Sequence, residues 1–268
     1  MKIGKLHIEG NSSSAFATFI GVKELDVLFD VGHCPPHFIR YNNLLITHGH
    51  QDHLLSLTRY IGLRNMNGMP SPTIFFPSVQ EQNIKDLLEL WSKIERRKNY
   101  DVRLVPVDAD NAYDINDKFY FKVFKTPHSF DSVGYVVYEK RKKLKEEYLH
   151  LPASEIIRLK SEGKEIEYHK HIPHVCFTGD TTEEIIENPI IQEADYLIME
   201  ATFLSDDHLA AADDKAHIHL NKIIDFIQNT RNKYIILTHF SMRYNKKDAE
   251  SIIKEILGPL YQSKVFIL

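Results

Sequence analysis

Cysteine is scarce in this chain of 268 residues, which contains only Cys34 and Cys176. Two cysteines cannot build the disulfide framework of a small secreted protein, so we interpret both as reduced thiols inside a cell. No apolar run approaches the roughly 20 residues that cross a bilayer. The first ten residues also lack the basic-then-apolar order of a signal peptide. We therefore expect a cytoplasmic protein without a membrane anchor.

A net positive charge is also missing, because 33 basic residues face 37 acidic ones and the formal charge is −4. Such a chain has no global field that attracts nucleic acid, so an RNA ligand would need a local basic patch. The run Lys140, Arg141, Lys142 and Lys143 is the first candidate, and residues 96–98 are a weaker one. A basic run of this length is more often an ordinary solvated face.

The order of apolar runs and turns predicts one α/β domain over residues 1–268. Short strands dominate the first third, and strands alternate with helices from there to the last residue. No repeat of solenoid length and no linker interrupts this order. We therefore predict two β-sheets packed face to face with helices outside, a four-layer αββα sandwich.

Three segments carry more specific predictions. Residues 79–96 are typical of an amphipathic helix with Ile84, Leu87, Leu88 and Trp91 on one face. Residues 217–229 predict a helix that begins at His217. Residues 140–174 are a polar interruption that we expect to be compact, with a short helix over residues 153–162 and no Gly/Pro-rich arm.

Fifteen histidines are present, and several of them follow predicted strands together with aspartates. Imidazole nitrogens and carboxylate oxygens suit Zn²⁺ and similar ions. Alternate residues after a strand point to one side, and a carboxylate that bridges two ions needs both of its oxygens, for which Asp180 is the candidate. A lone His-x-His pair would be weak support, but seven such residues at strand ends predict a metal centre. The predicted ligands are His48, His50, Asp52, His53, His128, Asp180 and His239. The remaining histidines other than His217, with His219 among them, are expected on the surface.

The segment from His48 to His53 matches the hallmark motif of the metallo-β-lactamase superfamily, and the later ligands match its other metal motifs in order. Three further stretches resemble ribonuclease Z. They are Phe-Thr-Gly-Asp-Thr at residues 177–181, Glu-Ala-Thr-Phe at 200–203 followed by His217, and Thr-His-Phe-Ser at 238–241 followed by Arg243. The similarity, to short forms of the plant type, covers nearly the whole chain.

The resemblance implies a metal-dependent endoribonuclease that removes the 3′ trailer of precursor tRNA, leaving a 3′-hydroxyl on the tRNA and a 5′-phosphate on the trailer. Two divalent ions per subunit are implied, with Zn²⁺ the first choice and Mn²⁺ or iron also compatible. Asp52 would accept a proton as well as bind metal, and His217, oriented by Glu200, would protonate the leaving oxygen. Ser241 and Arg243 would hold phosphate oxygens. The resemblance further implies a homodimer. The basic run makes residues 140–174 the candidate insertion for binding tRNA.

Other interpretations stay open from the sequence. Glu200 and His217 are also compatible with helix capping or solvent exposure. The same scaffold can carry another hydrolase, acting on small phosphodiesters or thioesters. An RNA-binding pseudoenzyme is the alternative outside catalysis, and the complete set of ligand residues argues against it.

Overall fold

The computed structural model describes residues 1–97, 99–128 and 131–268. Its first sheet contains seven strands whose order in space follows the chain. The first four strands are antiparallel, and the last four run parallel. They are β1 (Lys2–Ile3), β2 (Leu6–Ser13), β3 (Ala17–Val22), β4 (Val27–Phe29), β5 (Asn43–Leu45), β6 (Thr73–Pro77) and β7 (Arg103–Val107).

The second sheet repeats this plan with seven further strands, again in chain order. Its first four strands pair antiparallel, and the remaining connections are parallel. The strands are β8 (Ala112–Asp114), β9 (Phe119–Lys125), β10 (Val133–Leu144), β11 (Glu167–Phe177), β12 (Tyr196–Glu200), β13 (Tyr234–Thr238) and β14 (Val265–Ile267). Because β9, β11, β12 and β13 run in one direction, their carboxyl ends meet at one edge, where α/β sheets carry their sites.

Seven α-helices accompany the sheets in the described residues, and none is long and apolar enough to span a membrane. They are α1 (Gln51–Leu54), α2 (Leu57–Met66), α3 (Glu81–Ile94), α4 (Ala153–Ser161), α5 (Leu209–Lys215), α6 (Ile224–Asn229) and α7 (Lys246–Leu257).

Three apolar clusters hold these layers together. One joins the inner faces of the two sheets through residues such as Phe29 and Phe177, whose ring centroids lie 4.8 Å apart. A second packs α2 and α3 on the first sheet, and a third packs α6 and α7 on the second. The order is therefore helices, sheet, sheet, helices, which confirms the predicted αββα sandwich.

The prediction for α3 is wrong at one residue. Ile84 and Leu88 are buried, and Ser92 continues that face at a spacing of four residues. Trp91 was expected to share this face but is 39% exposed, together with the more exposed Leu90 and Ile94. The buried face of α3 is thus narrower than the apolar face predicted from the sequence. Leu90, Trp91 and Ile94 form an exposed apolar strip on its outer side.

The predicted helix from His217 is also wrong at its start. Residues 217–219 are not helical, a short 3₁₀ turn covers Leu220–Ile223, and α6 begins only at Ile224. The backbone before the turn is instead held in extended contacts, since Phe203 N donates to Ile218 O at 3.1 Å. His219 is fully buried, contrary to its predicted surface position, because its ring accepts from Asn221 N and lies 2.9 Å from Ser205 O.

The segment 140–174 is not the compact interruption that we predicted. β9 pairs with β10 only as far as Glu139, and β12 pairs with β11 only from Val175 onward. Residues 141–144 and 167–170 therefore pair only with each other among the described residues, with α4 in the connection between them. We call residues 140–174 the arm. Its polar side chains on both faces hide the alternation by which a strand is usually recognised.

Candidate metal centre and catalytic site

Two groups of donor atoms meet at the carboxyl ends of the strands. Ligand atoms of His48, His50, His128 and Asp180 lie within 4.8 Å of one another, and so do those of Asp52, His53 and His239. The first group combines the turn after β5 with the ends of β9 and β11. The second combines α1 with the end of β13, so the two sheets share both groups.

Asp180 lies between the groups, and its carboxylate contacts histidines of both. Its Oδ2 is 3.3 Å from His53 Nε2 and 3.8 Å from His48 Nε2, while its Oδ1 is 3.4 Å from His239 Nε2. Asp52 Oδ2 is in turn 3.4 Å from His239 Nε2. A carboxylate that lies within 4 Å of histidines from both donor groups is placed as a bridging ligand requires.

Three of the imidazoles are held by a partner on the side away from the donor groups. Thr47 Oγ1 lies 3.0 Å from His48 Nδ1, and the carbonyl of Ala216 lies 3.1 Å from His128 Nδ1. Thr202 Oγ1 lies 3.0 Å from His239 Nδ1. Such contacts fix which nitrogen is left to bind a metal and aim it.

Asp30 holds the far side of the His53 imidazole in the same way, and the sequence analysis did not predict this residue. Its Oδ2 lies 2.8 Å from His53 Nδ1, and its Oδ1 accepts the Thr47 N–H at 2.7 Å, all without exposure to solvent. Asp30 adopts a φ of +55° directly after β4, an unusual conformation for a residue other than glycine. The only sequence signal for this role was the position of Asp30 at the end of β4, one strand before the histidine cluster.

Charge and unsatisfied polarity both fit a divalent cation. His53 Nε2 and His128 Nε2 are buried and have no hydrogen-bond partner in the described structure, although each borders the donor groups. Burial raises the pKa of Asp180, but His239 and His53 lower it more, so this carboxyl stays ionised. Burial lowers the pKa of His48 well below its usual value, which keeps the ring neutral as a ligand must be. The residues therefore fit the metal that the fold implies.

A carboxylate–imidazole pair adjoins the donor groups. Glu200, 1% exposed at the end of β12, has Oε1 2.8 Å from His217 Nδ1 and accepts the N–H groups of Thr181 and Ile218. Burial lowers the pKa of His217, but the Glu200 carboxylate raises it more, to about 9. The ring lies 5.2 Å from both the His128 and His239 rings, so a protonated imidazole is held where the two donor groups meet.

Residues 35–240 match the model of the β-lactamase superfamily domain. A protein of Arabidopsis thaliana named tRNase Z TRZ1 is 36% identical to this chain, over all of it and 96% of its own length. The chain belongs to the tRNase Z family. A second tRNase Z family protein of Arabidopsis thaliana, named tRNase Z TRZ2, chloroplastic, is 35% identical over 96% of this chain and 72% of its own.

A solved tRNase Z supports the fold assignment. The crystal structure of human tRNase Z, short form, superposes with a TM-score of 0.62 and 18% identity, over 98% of this chain and 95% of that one. At this identity the likeness shows a shared metallo-β-lactamase fold, and the family rests on the sequence match.

The predicted substrate-binding residues of this tRNase Z family member fall in two places. Ser241 is buried beside the site, with its N–H donating to Thr202 O at 2.9 Å, whereas Arg243 is exposed with its guanidinium 5.8 Å from the Phe203 ring. The basic run lies on the arm instead, where Lys140 pairs with Asp114 and Arg141 with Glu139. Lys142 and Lys143 are exposed, and the described residues provide neither with a salt bridge. Of the weaker candidate, Arg97 pairs with Glu95 and Lys98 lies outside the described residues.

Proposed function

We propose that this member of the tRNase Z family is an endoribonuclease that removes the 3′ trailer from precursor tRNA, leaving a 3′-hydroxyl on the tRNA and a 5′-phosphate on the trailer. The family assignment supports the substrate. The observation that carries the chemistry is the buried Glu200–His217 pair, because it sits beside two groups of metal donors. A pair of this kind supplies a proton at the point where a phosphodiester would be held.

We propose two divalent ions per subunit, held by His48, His50, His128 and Asp180 on one side and by Asp52, His53, His239 and the shared Asp180 on the other. Zn²⁺ suits this nitrogen-rich donor set best, and Mn²⁺ or iron would also fit. Bound ions of this type supply Lewis acidity toward phosphate oxygens and lower the pKa of water.

The chain's own groups would handle the protons. Asp52 is 11% exposed at its side chain, and Ala15 N donates to its Oδ2 at 2.8 Å, which fixes the carboxylate that would accept a proton from the attacking water. His217 would donate its proton to the 3′ oxygen that leaves. Glu200 keeps the imidazole charged and aimed, since its two oxygens are anchored by backbone N–H groups.

Phosphate and tRNA binding would use separate parts of the molecule. Arg243 is placed to hold a phosphate near the site, with Ser241 supporting that loop by accepting the Arg243 N–H. The arm would grip the body of the tRNA as an insertion in a single domain of residues 1–268. Lys142 and Lys143 would contact the tRNA, since neither forms a salt bridge among the described residues, whereas Lys140 and Arg141 also hold acidic partners at its base.

We further propose that the protein is a homodimer and that the strip on α3 is its interface. Leu90 and Ile94 are 56% and 59% exposed, and Trp91 lies beside them. Exposed apolar side chains grouped on one helix face are typical of an association surface. Leu90→Asp should yield monomers in analytical ultracentrifugation, and a variant that sediments as a dimer would reject this surface.

The cytoplasmic location stays a prediction, because one relative is named as chloroplastic.

The test is cleavage of a labelled precursor tRNA by the metal-loaded protein and by His217→Ala. We expect one cut at the acceptor stem, slowed about 10²- to 10⁴-fold in the variant, as is typical for loss of a general acid. Metal content should be unchanged, and His37→Ala, at an exposed histidine away from the donor groups, serves as the matched control.

Other outcomes would replace the proposal. An intact precursor tRNA alongside hydrolysis of a small phosphodiester or thioester would mean another hydrolase on this fold. Tight tRNA binding without any cleavage, by metal-loaded protein, would mean an RNA-binding pseudoenzyme.

A further inference from the structure

A cavity of about 310 Å³ opens beside the second donor group. It lies between the turn that joins β2 to β3, the segment after β13 and the beginning of α7. Phe16, Phe240, Met242, Tyr244 and Lys246 contribute to its lining. Its volume is at the lower end of the range found for small-ligand pockets and is large enough for one nucleobase.

The cavity and the catalytic site share a wall. Ser14 N donates to Phe240 O at 3.1 Å, and His239 N donates to Ser12 O at the same distance. The next residue along the turn, Ala15, donates its N–H to Asp52 Oδ2 at 2.8 Å. A ligand in this cavity would therefore lie next to whatever the second donor group holds.

Two large apolar side chains at this cavity are left in solvent. Phe16 is 64% exposed and Met242 is 69% exposed, although both line the cavity. The backbone under Phe16 is fixed, because its N–H donates to Ser13 O and the preceding residue is bonded to Asp52. An aromatic ring presented on a fixed turn offers a flat apolar surface that needs little reordering to stack on another ring.

The surroundings of the cavity carry free positive charge. Arg243 and Lys246 are both exposed, and neither forms a salt bridge within residues 1–97, 99–128 and 131–268. Cations beside an aromatic platform match the chemistry of a nucleotide, whose base stacks while its phosphates meet the charges.

We propose that this cavity receives an unpaired nucleobase that flanks the scissile phosphate and that Phe16 stacks on it. The inference rests on the proposed endoribonuclease function and adds a subsite to it. Proteins recognise RNA mainly through unpaired bases that stack on aromatic side chains, and the acceptor end of a precursor tRNA presents such bases at the cut. The base is either the last one of the tRNA or the first one of the trailer.

The experiment compares variants of Phe16 in steady-state cleavage of precursor tRNA. Phe16→Ala should lower kcat/KM by about 5- to 100-fold, as loss of one stacked base predicts. Phe16→Trp should remain within a few-fold of the native protein, whereas Phe16→Leu should fall with the alanine variant although it is also apolar. Met66→Ala, at a 74% exposed methionine on the end of α2, is the control for removal of an exposed apolar side chain.

A fluorescent adenine analogue identifies which base is bound. We would place 2-aminopurine either at the last tRNA position or at the first trailer position, and measure quenching when the metal-free protein binds. Quenching at one position that is lost in Phe16→Ala assigns the cavity to that base.

Cleavage by Phe16→Leu at the native rate, or quenching at neither position, would overturn the subsite. The proposed function would still stand as long as the native protein cleaves precursor tRNA. If the native metal-loaded protein fails to cut precursor tRNA, the proposed function fails and this inference falls with it. A ratio of precursor-tRNA cleavage to bis(p-nitrophenyl) phosphate hydrolysis that falls in Phe16→Ala would support the subsite, because the small substrate has no base to stack.

Discussion

Removal of the Asp30 carboxylate should damage both stability and metal affinity, because this one side chain holds His53 and the strand end beside it. In Asp30→Ala, three buried donors lose their acceptor, namely His53 Nδ1, Thr47 N and Thr47 Oγ1. Breaking a buried charged pair typically costs about 3–5 kcal/mol, and each buried donor left alone costs about 1–3 kcal/mol before relaxation. We therefore expect a loss of about 3–5 kcal/mol in the free energy of unfolding of the metal-free protein.

The same substitution frees the ring of His53 to turn, so its Nε2 is no longer aimed at Asp180. Loss of such a supporting carboxylate typically weakens metal binding by about 10- to 100-fold. Asp30→Asn keeps the shape but removes the charge, and it should show an intermediate loss of both properties. Urea unfolding and competition with a chromophoric chelator measure the two effects separately.

Asp26 provides a matched control for this experiment. It also has a positive φ, of 52°, next to β4, and it accepts the Asn42 N–H at 2.9 Å in an exposed position. Asp26→Ala should cost about 1 kcal/mol and leave metal affinity unchanged. If the two alanine variants unfold at the same urea concentration, or if metal affinity is native in Asp30→Ala, our account of Asp30 is wrong.

Three further predictions concern other supports of the site and the base of the arm. Gly179 and Gly68 share a φ of +62°, but a Cβ at Gly179 would lie 2.8 Å from a Thr47 side-chain atom, while one at Gly68 would have no described atom within 4 Å. Gly68→Ala should cost about 1 kcal/mol and Gly179→Ala about 1–3 kcal/mol more in urea unfolding, and equal losses would contradict this. Thr202 Oγ1 bonds both Glu200 and His239, so Thr202→Val should lower kcat by about tenfold or more and cost about 1–3 kcal/mol in urea unfolding, because two buried groups lose a partner. Thr202→Ser keeps the hydroxyl and should stay near native, and equal rates in the two variants would contradict this role. Burial raises the pKa of Glu139, but its bonds to Arg141 and His174 lower it more, to about 2. The folded pKa lies below the unfolded one, so this carboxylate stabilises the fold above about pH 4.3, and that stabilisation is lost as the pH falls toward 2. Glu139→Gln should lower the free energy of unfolding by about 1–2 kcal/mol at pH 7. A difference in unfolding free energy between the variant and the native protein that does not shrink on acidification would refute the assignment.

The sequence predicted the elements that carry local signals. The strand ends before His48, Asp180 and His239 were predictable because apolar runs stop there at polar residues, and the αββα fold and the family are both confirmed. The roles of the seven ligand residues and of Glu200 and His217 stay predictions, although the structure brings all nine side chains together.

The remaining features depend on contacts between residues far apart in the chain. Asp30 matters only because α1 places His53 against it, and no pattern around residue 30 announces that contact. The segment at His217 was predicted as helical because its spacing fits a helix, but its backbone pairs with Phe203 instead, since Phe203 N donates to Ile218 O and Leu220 N donates to Phe203 O. The arm was missed because two strands that pair only with each other have no buried face to impose an alternating pattern.

The donors of each metal group come from distant parts of the chain, since His48 and Asp52 lie in the first sheet's half and Asp180 and His239 in the second's. A bound ion would therefore tie the two sheets to each other across their edge, and it would add stability that a chelator removes.

Because the donors are divided between the two halves of the chain, the order in which the residues are synthesised also matters. A growing chain lacks the bridging carboxylate until residue 180 is made, and its second donor group is incomplete until residue 239 is made. We therefore expect a ribosome-bound fragment that ends before residue 239 to be unable to cut RNA.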